Sequence, residues 1–310
     1  MIALFAPGQG SQKPGMLAPW LDLPGARDRL ELWSIASGMD LLRLGTTATA
    51  EEITDTAVTQ PLVVAAALLA FTEVPQHALP ADTIVAGHSV GELAAAAIAG
   101  VISPDDAVRL AAIRGSEMAK ACALEPSGMS AVLGGDEATV LARLAELDLI
   151  PANRNAVGQI VAAGRLDALA ELAATPPEGA RVRALAVAGA FHTSFMAPAQ
   201  DAVTEAISQI TPGNPTRVLL SNFDGQPVSS GRDAIDKLAA QVTRPVRWDL
   251  CTETVRAAGV SAVVELPPAG TLVGIAKREL KGTPNLAMKA PEDIAQLIKL
   301  VDLADISATG

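Results

Sequence analysis

The segment Gly87-His88-Ser89-Val90-Gly91 is the first place in this 310-residue chain where residue types and spacing suggest chemistry. Strand-like 83–86 (TIVA) runs directly into it, and an Ala-rich helix is expected after it, from about Glu92 to Ala99, stopped by Gly100. Gly-x-Ser-x-Gly between a strand and a helix is the pattern of a nucleophile elbow. So sharp a turn forces its central residue into a strained conformation, and the flanking glycines remove the clashes. The hydroxyl is lifted above the sheet, with a helix N-terminus behind it that stabilises developing negative charge.

A serine needs a base, and the chain has three histidines. His77 lies in a Pro-flanked polar loop (VPQHALP) and reads as a solvated loop residue. His88 stands on the elbow itself, so its side chain should point away from that of Ser89, in a structural role. Elimination leaves His192, in Gly189-Ala190-Phe191-His192 after strand-like 181–187, as the preferred base. Cys122 and Cys251 are too few for a disulfide framework and form no metal cluster; both read as small apolar residues.

The elements that must position these groups follow from local signals. Residues 2–6 read as a buried strand ending in Pro7-Gly8-Gln9-Gly10. A helix over 57–71 is expected to be entered through Gln60-Pro61, with Pro61 in its first turn. Ser103 before Pro104, with Asp106 three residues on, resembles a capping box, opening a helix that carries Arg114 and Met118 on one face to about Ala121. From 128 to 190 the order is strand 129–134, helix 136–147, strand near 149–155, strand 159–164, helix 166–174 and strand 181–187. That βαββαβ order suggests a ferredoxin-like insert. The C-terminal third alternates again, with a helix at 198–210 and strands at 216–221 and 261–266.

Half of the chain is hydrophobic and 18% is charged, which allows a sizeable core. With five Phe, three Trp and no Tyr, that core must be Ala, Val, Ile and Leu, favouring close helix–sheet packing. A net charge of −11 and scarce aromatics argue against a nucleic-acid surface. The N-terminus lacks the basic region of a signal peptide, and the apolar runs 62–71 and 93–102 fall short of the roughly 18–20 residues that span a bilayer. A soluble, cytoplasmic protein is therefore expected.

Several separated motifs together resemble the malonyl-CoA:acyl-carrier-protein transacylases. They are Gly8-Gln9-Gly10-Ser11-Gln12, Thr59-Gln60-Pro61, the elbow with Glu92, Arg114-Gly115 with Met118, Asn153-x-Asn155 with Gly158-Gln159, Phe191-His192, and Gln241-x-x-x-Pro245-Val246-x-Trp248. Their occurrence in this order is very specific. The resemblance implies that Ser89 is the acylated nucleophile and His192 its general base, oriented by the main-chain carbonyl of Gln241. It implies an oxyanion hole from the amides of Gln9 and Val90. It places Arg114 on the free carboxylate of malonyl, Met118 one turn on against the acyl group, and Asn155 among the substrate-binding positions. Phe191 corresponds to an aromatic that accompanies malonyl rather than methylmalonyl use in related polyketide enzymes. Two departures stand out: Gly189 replaces a frequent His of the polyketide motif, and Leu266-Pro267-Pro268-Ala269-Gly270 replaces the usual Gly-Pro-Gly turn.

The fold class implied is α/β, with an α/β-hydrolase-like large domain on a mostly parallel sheet (1–126 and 190–310) and a ferredoxin-like small domain (127–189). Malonyl-CoA and, transiently, acyl carrier protein are the implied partners; no metal or bound cofactor is required, and the family is often monomeric. Lys277, Arg278 and Lys281 form one candidate basic rim for an acidic carrier protein, and read equally well as a solvated helix end. A serine esterase or thioesterase would use the same elbow, but normally needs a third, acidic residue. A non-catalytic carrier-binding subunit would have no need of Ser89 and His192.

Overall fold

The first expected strand sits at the centre of the molecule. In the computed structural model, which describes residues 1–75 and 78–308, Ala3–Ala6 (β1) is buried at every position. It pairs in parallel with Ile84–Gly87 (β2) on one side. The strands Ser127–Gly134 (β3), Ile150–Ala156 (β4), Gln159–Arg165 (β5) and Ala180–Ala184 (β6) follow, then Val218–Leu219 (β7), Val246–Arg247 (β8), Val263–Glu265 (β9) and Asn285–Ala287 (β10). One sheet has the order β10-β9-β1-β2-β7, parallel throughout. The other runs β6-β3-β5-β4-β8, antiparallel except for the last pair. The chain is thus an α/β fold with two sheets, one parallel and one mixed. His77 lies outside the described residues.

Parallel strands are covered on both faces, and the strand period of two divides their side chains between two cores. Leu4, Ala6 and Val85 pack with the helices Thr56–Thr72, Gly91–Ile98 and Pro104–Cys122. Ala3, Phe5, Ile84 and Ala86 face the other way, onto Trp248, Val255, Leu272 and Ile275. In the second sheet, Val132, Ile160 and Ala162 pack against Val140, Leu144, Leu169 and Leu172 of the helices Glu137–Glu146 and Leu166–Ala174. Strand β8 comes from the C-terminal stretch and joins β4 in parallel, so this sheet draws one strand from beyond 127–189.

Two local expectations change. Pro61 is the sixth residue of its helix rather than part of its first turn, because the Asp55 carboxylate caps the chain earlier by accepting the Ala57 amide at 2.8 Å. The strand expected over 216–221 forms ladder pairs only at Val218 and Leu219. Beyond it, Ser221 and Asn222 turn away from the sheet, and the Asn222 side chain bonds back to Gly87. The Ser103 cap holds as read: its hydroxyl accepts the Asp106 amide at 3.0 Å. Where that helix crosses Thr56–Thr72, Gly115 permits the approach, since a Cβ there would lie 2.7 Å from the Thr56 carbonyl oxygen.

Candidate active site

The elbow is as tight as its glycines require. A Cβ on Gly87 would run into the backbone of Gly91, and one on Gly91 into the carbonyls of Ala6 and Pro7. Between them Ser89 takes φ 54°, and His192 takes φ 62°; among the described residues Asp148 is the only other non-glycine residue with positive φ. Two of these three strained backbone positions thus carry the serine and the histidine.

They meet directly. Ser89 Oγ lies 2.7 Å from His192 Nε2, and His192 Nδ1 lies 3.0 Å from the carbonyl oxygen of Gln241. A carbonyl can only accept, so Nδ1 carries the proton and Nε2 presents its lone pair to the serine hydroxyl. Burial, and after it the charge of Arg114, push the imidazole down to about 3, which keeps it neutral.

Arg114 is 3% exposed, yet among the described residues it makes no salt bridge. Its Nη1 donates to Gln60 Oε1 at 2.6 Å, and its Nη2 to Gln241 Oε1 at 3.2 Å and Ser89 Oγ at 3.3 Å. Burial brings it down to about 10, so it remains a cation at neutral pH. The same Gln60 turns its amide toward Met118 Sδ at 3.6 Å. A buried guanidinium bonded to neutral oxygens keeps the hydrogen-bonding capacity to take a carboxylate.

The loop after β1 closes another side. Gly8 packs against the elbow so closely that a Cβ would come within 2.7 Å of the His88 carbonyl oxygen. Gln9 anchors its side chain on Thr56 Oγ1 at 3.3 Å, and Ser11 reaches Thr271 Oγ1 at 3.0 Å. The main-chain amides of Gln9 and Val90 have no partner among the described residues, whereas the Ser89 amide donates to Asn222 Oδ1 at 2.8 Å. Two main-chain donors of the elbow and its neighbouring loop are thus left without a partner among the described residues.

Of the residues expected from sequence, Ser89, His192, Gln241 and Arg114 form one bonded cluster. Gln9 and Val90 border it, Met118 adjoins it through Gln60, and Phe191 precedes His192 while 7% exposed. Asn155 stands apart. Its Oδ1 lies 2.9 Å from His88 Nε2, and His88 packs edge-on against Trp248 with centroids 5.6 Å apart. Asn155 therefore touches the elbow through His88 rather than through Ser89. Sequence reasoning assigned no role to Gln60, although a glutamine inside the apolar run of 57–71 was a usable signal. It passed over Asn222 entirely and left Glu92 only as a motif residue. Glu92 is 4% exposed, and burial raises its carboxyl to about 8 while Oε1 accepts the Asn222 amide at 2.6 Å.

Among the described residues no cluster of His, Cys, Asp and Glu could hold a metal ion, and no helix is long and apolar enough to cross a membrane. Cys251 is buried, with its thiol pushed up by desolvation; the half-buried Cys122 thiol is pushed up to about 11 for the same reason.

Comparison with known proteins bears on this geometry. A family model described as "Acyl transferase domain" matches residues 4–299. A malonyl CoA-acyl carrier protein transacylase of Mycobacterium tuberculosis is 66% identical over 302 residues, covering 97% of this chain and 100% of the relative. One of Escherichia coli (strain K12) is 33% identical over 306 residues, covering 96% of this chain and 99% of the relative. The crystal structure of MCAT from Mycobacterium tuberculosis, 66% identical, superposes with a TM-score of 0.93 over 96% of this chain and 99% of that one. A malonyl-transacylase in complex with a type II PKS acyl-carrier protein, 29% identical, gives 0.88 over 96% and 99%. A strained serine on its elbow, a neutral imidazole held by a carbonyl and a buried arginine thus occur in a chain that belongs to the acyl transferase family, among its malonyl CoA-acyl carrier protein transacylases.

Proposed function

We propose that this chain moves a malonyl group from malonyl-CoA to the phosphopantetheine thiol of acyl carrier protein, through a malonyl ester on Ser89, in the service of fatty-acid synthesis. The observation that carries the reading is the buried Arg114 cation, 3.3 Å from Ser89 Oγ and in no salt bridge among the described residues. Malonyl brings a carboxylate to it; a plain acyl chain leaves the charge unpaired.

His192 Nε2 takes the Ser89 hydroxyl proton as Oγ bonds to the thioester carbon, and the amides of Gln9 and Val90 receive the developing oxyanion. The C–S bond then breaks, and the CoA sulfur leaves with the proton from His192. The carrier thiol repeats the sequence in reverse, giving its proton to His192 while Oγ departs and recovers it. The Gln241 carbonyl holds the imidazole and supports the imidazolium in each step. Met118 and Phe191 line the acyl position. Asn155, through His88, steadies the elbow from below as a contribution to substrate binding. The test is to add malonyl-CoA, record the intact mass, and then supply carrier protein. A malonyl adduct that passes to the carrier is expected; rapid release of free malonate instead would make the chain a hydrolase.

In the finer architecture, 1–126 and 190–310 form an α/β-hydrolase-like domain and 127–189 a ferredoxin-like one. The parallel sheet that leads into the elbow supports the first assignment. The order β6-β3-β5-β4, alternating in direction, supports the second. The catalytic groups all come from one chain, which fits an enzyme working as a monomer in the cytoplasm.

The neutral imidazole has a kinetic consequence. A base works deprotonated, so a pKa lowered from 6.5 to about 3 carries its active form to lower pH. The acid limb of kcat/KM for malonyl-CoA, which reports free enzyme, should therefore lie well below 6.5. A limb centred at the ordinary histidine value would contradict the buried, cation-facing imidazole.

Carrier docking is expected at the end of the helix Thr271–Glu279. Lys277, Arg278 and Lys281 are exposed there, and Arg278 reaches Gln159 of the second sheet at 2.5 Å. Reversing the charge of Lys277 and Arg278 together should raise the apparent KM for carrier protein about fivefold or more at low salt, an effect that shrinks as salt screens the patch. An unchanged KM removes this patch from the docking surface.

A further inference from the structure

A strand-to-helix elbow strands main-chain groups that can join neither the sheet ladder nor the helix, and here one side chain collects them. Asn222 is fully buried. Its Nδ2 donates to the Gly87 carbonyl oxygen at 2.8 Å, and its Oδ1 accepts the Ser89 amide at 2.8 Å. These groups belong to the residue two before the positive-φ serine and to that serine itself, so one carboxamide spans the turn across His88. The same Oδ1 lies 3.5 Å from Gln241 Nε2, on the residue whose carbonyl orients His192 and whose side chain meets Arg114. Asn222 is fixed in turn by Glu92, whose Oε1 accepts its main-chain amide at 2.6 Å.

We infer that Asn222 is the positioning residue of this active site: it holds the Ser89 turn and Gln241 in one frame, so that hydroxyl, imidazole and guanidinium face a single point. Glu92 anchors it from the first turn of the helix Gly91–Ile98. The inference rests on Ser89 being the nucleophile. Two features fit a built device better than ordinary packing. Asn222 occupies the Ser89 amide, whereas the amides of Val90 and Gln9 are left without a partner among the described residues. It also reaches the elbow from 133 residues away in sequence, in a stretch that contributes only two residues to the sheet. Neither Asn222 nor Glu92 has an atom among the reacting groups, so both act through the groups they hold. With burial raising Glu92 to about 8, its carboxyl is largely neutral at pH 7, and an amide of the same shape can take its place.

The test measures single-turnover acylation by malonyl-CoA, read as the malonyl adduct by intact mass, with the rate and the half-saturating concentration determined separately. For Asn222→Ala, the rate is expected to fall about 100-fold, the size of effect an ångström of misplacement brings, while half-saturation moves less than about threefold. A folded Asn222→Ala that acylates within about threefold of the wild-type rate overturns the inference. So does one whose rate and half-saturation worsen in parallel, since that signals general loosening. If Asn222→Ala does not fold, the Glu92 pair decides: Glu92→Ala should slow acylation, and Glu92→Gln, which keeps the acceptor for the Asn222 amide, should recover most of the loss. Equal rates for the two Glu92 variants overturn the inference. Ser89→Ala runs alongside. An adduct on that variant overturns both the nucleophile and the frame, whereas an adduct lost there but formed at full rate by Asn222→Ala removes Asn222 alone.

Discussion

Ser89→Ala is expected to abolish the malonyl adduct and to lower transfer to carrier protein by at least about 10⁴-fold. The size of the effect follows from how the reaction is divided. Without Oγ there is no covalent intermediate, and the remaining amides of Gln9 and Val90 can stabilise charge but cannot accept the acyl group. His192→Ala should cost nearly as much, because the hydroxyl then keeps its proton and attacks poorly. The two losses should not add. Ser89 Oγ and His192 Nε2 are 2.7 Å apart and act as one unit, so the double variant should be no slower than the worse single one. Steady-state transfer and intact mass measure both. A double variant slower than either by the product of the single effects would mean that the two groups work independently, and the serine–histidine reading would fail.

The second large effect falls on selectivity. Removing one partner of a buried ion pair typically costs about 3–5 kcal/mol, so Arg114→Ala should lower acylation by malonyl-CoA roughly 10²- to 10⁴-fold. Acetyl-CoA, which makes no such pair, should be spared or improved, because the variant no longer leaves a buried cation unmatched. The malonyl-to-acetyl ratio of acylation rates should therefore collapse by about a hundredfold or more. Arg114→Lys should recover only part of it, since an ammonium cannot offer two parallel N–H donors to one carboxylate. The substitution also removes the charge that, after burial, holds His192 down, so the acid limb of kcat/KM should move toward higher pH. A ratio that stays at its wild-type value in Arg114→Ala would detach substrate choice from this residue.

The parts of the site that could be read from sequence share a property: each is marked by its own short neighbourhood. Ser89 is announced by glycines two positions either side, and the Ser103 cap by Pro104 and Asp106. His192 was found because only two other histidines compete with it. Arg114 and Met118 were legible as a pair, four apart on a helix. The succession of strands and helices from 128 to 190 was legible from its alternating patterns, but not that a strand from 246–247 joins their sheet. Glu92 illustrates the limit. An acid in the first turn of a helix is ordinarily a solvated dipole partner, and nothing local says that 96% of its surface is covered. Asn222 in Ser221-Asn222-Phe223 has the composition of a turn, and its partners are 130 or more residues away.

The residues themselves determined the chemistry on offer: a strained serine, a single suitable imidazole and an arginine on a helix face, within an α/β framework. Those features depend on backbone preferences and on the repeat of helix and strand, which act over a few neighbours. Only the tertiary structure decided that the arginine is buried with no salt bridge among the described residues, that the imidazole is neutral, and that a distant asparagine bridges the elbow. Burial and electrostatic environment are properties of how the sheets and helices close over one another. They depend on which far segments meet, as when Gly115 lets two helices touch and brings Arg114 to Gln60.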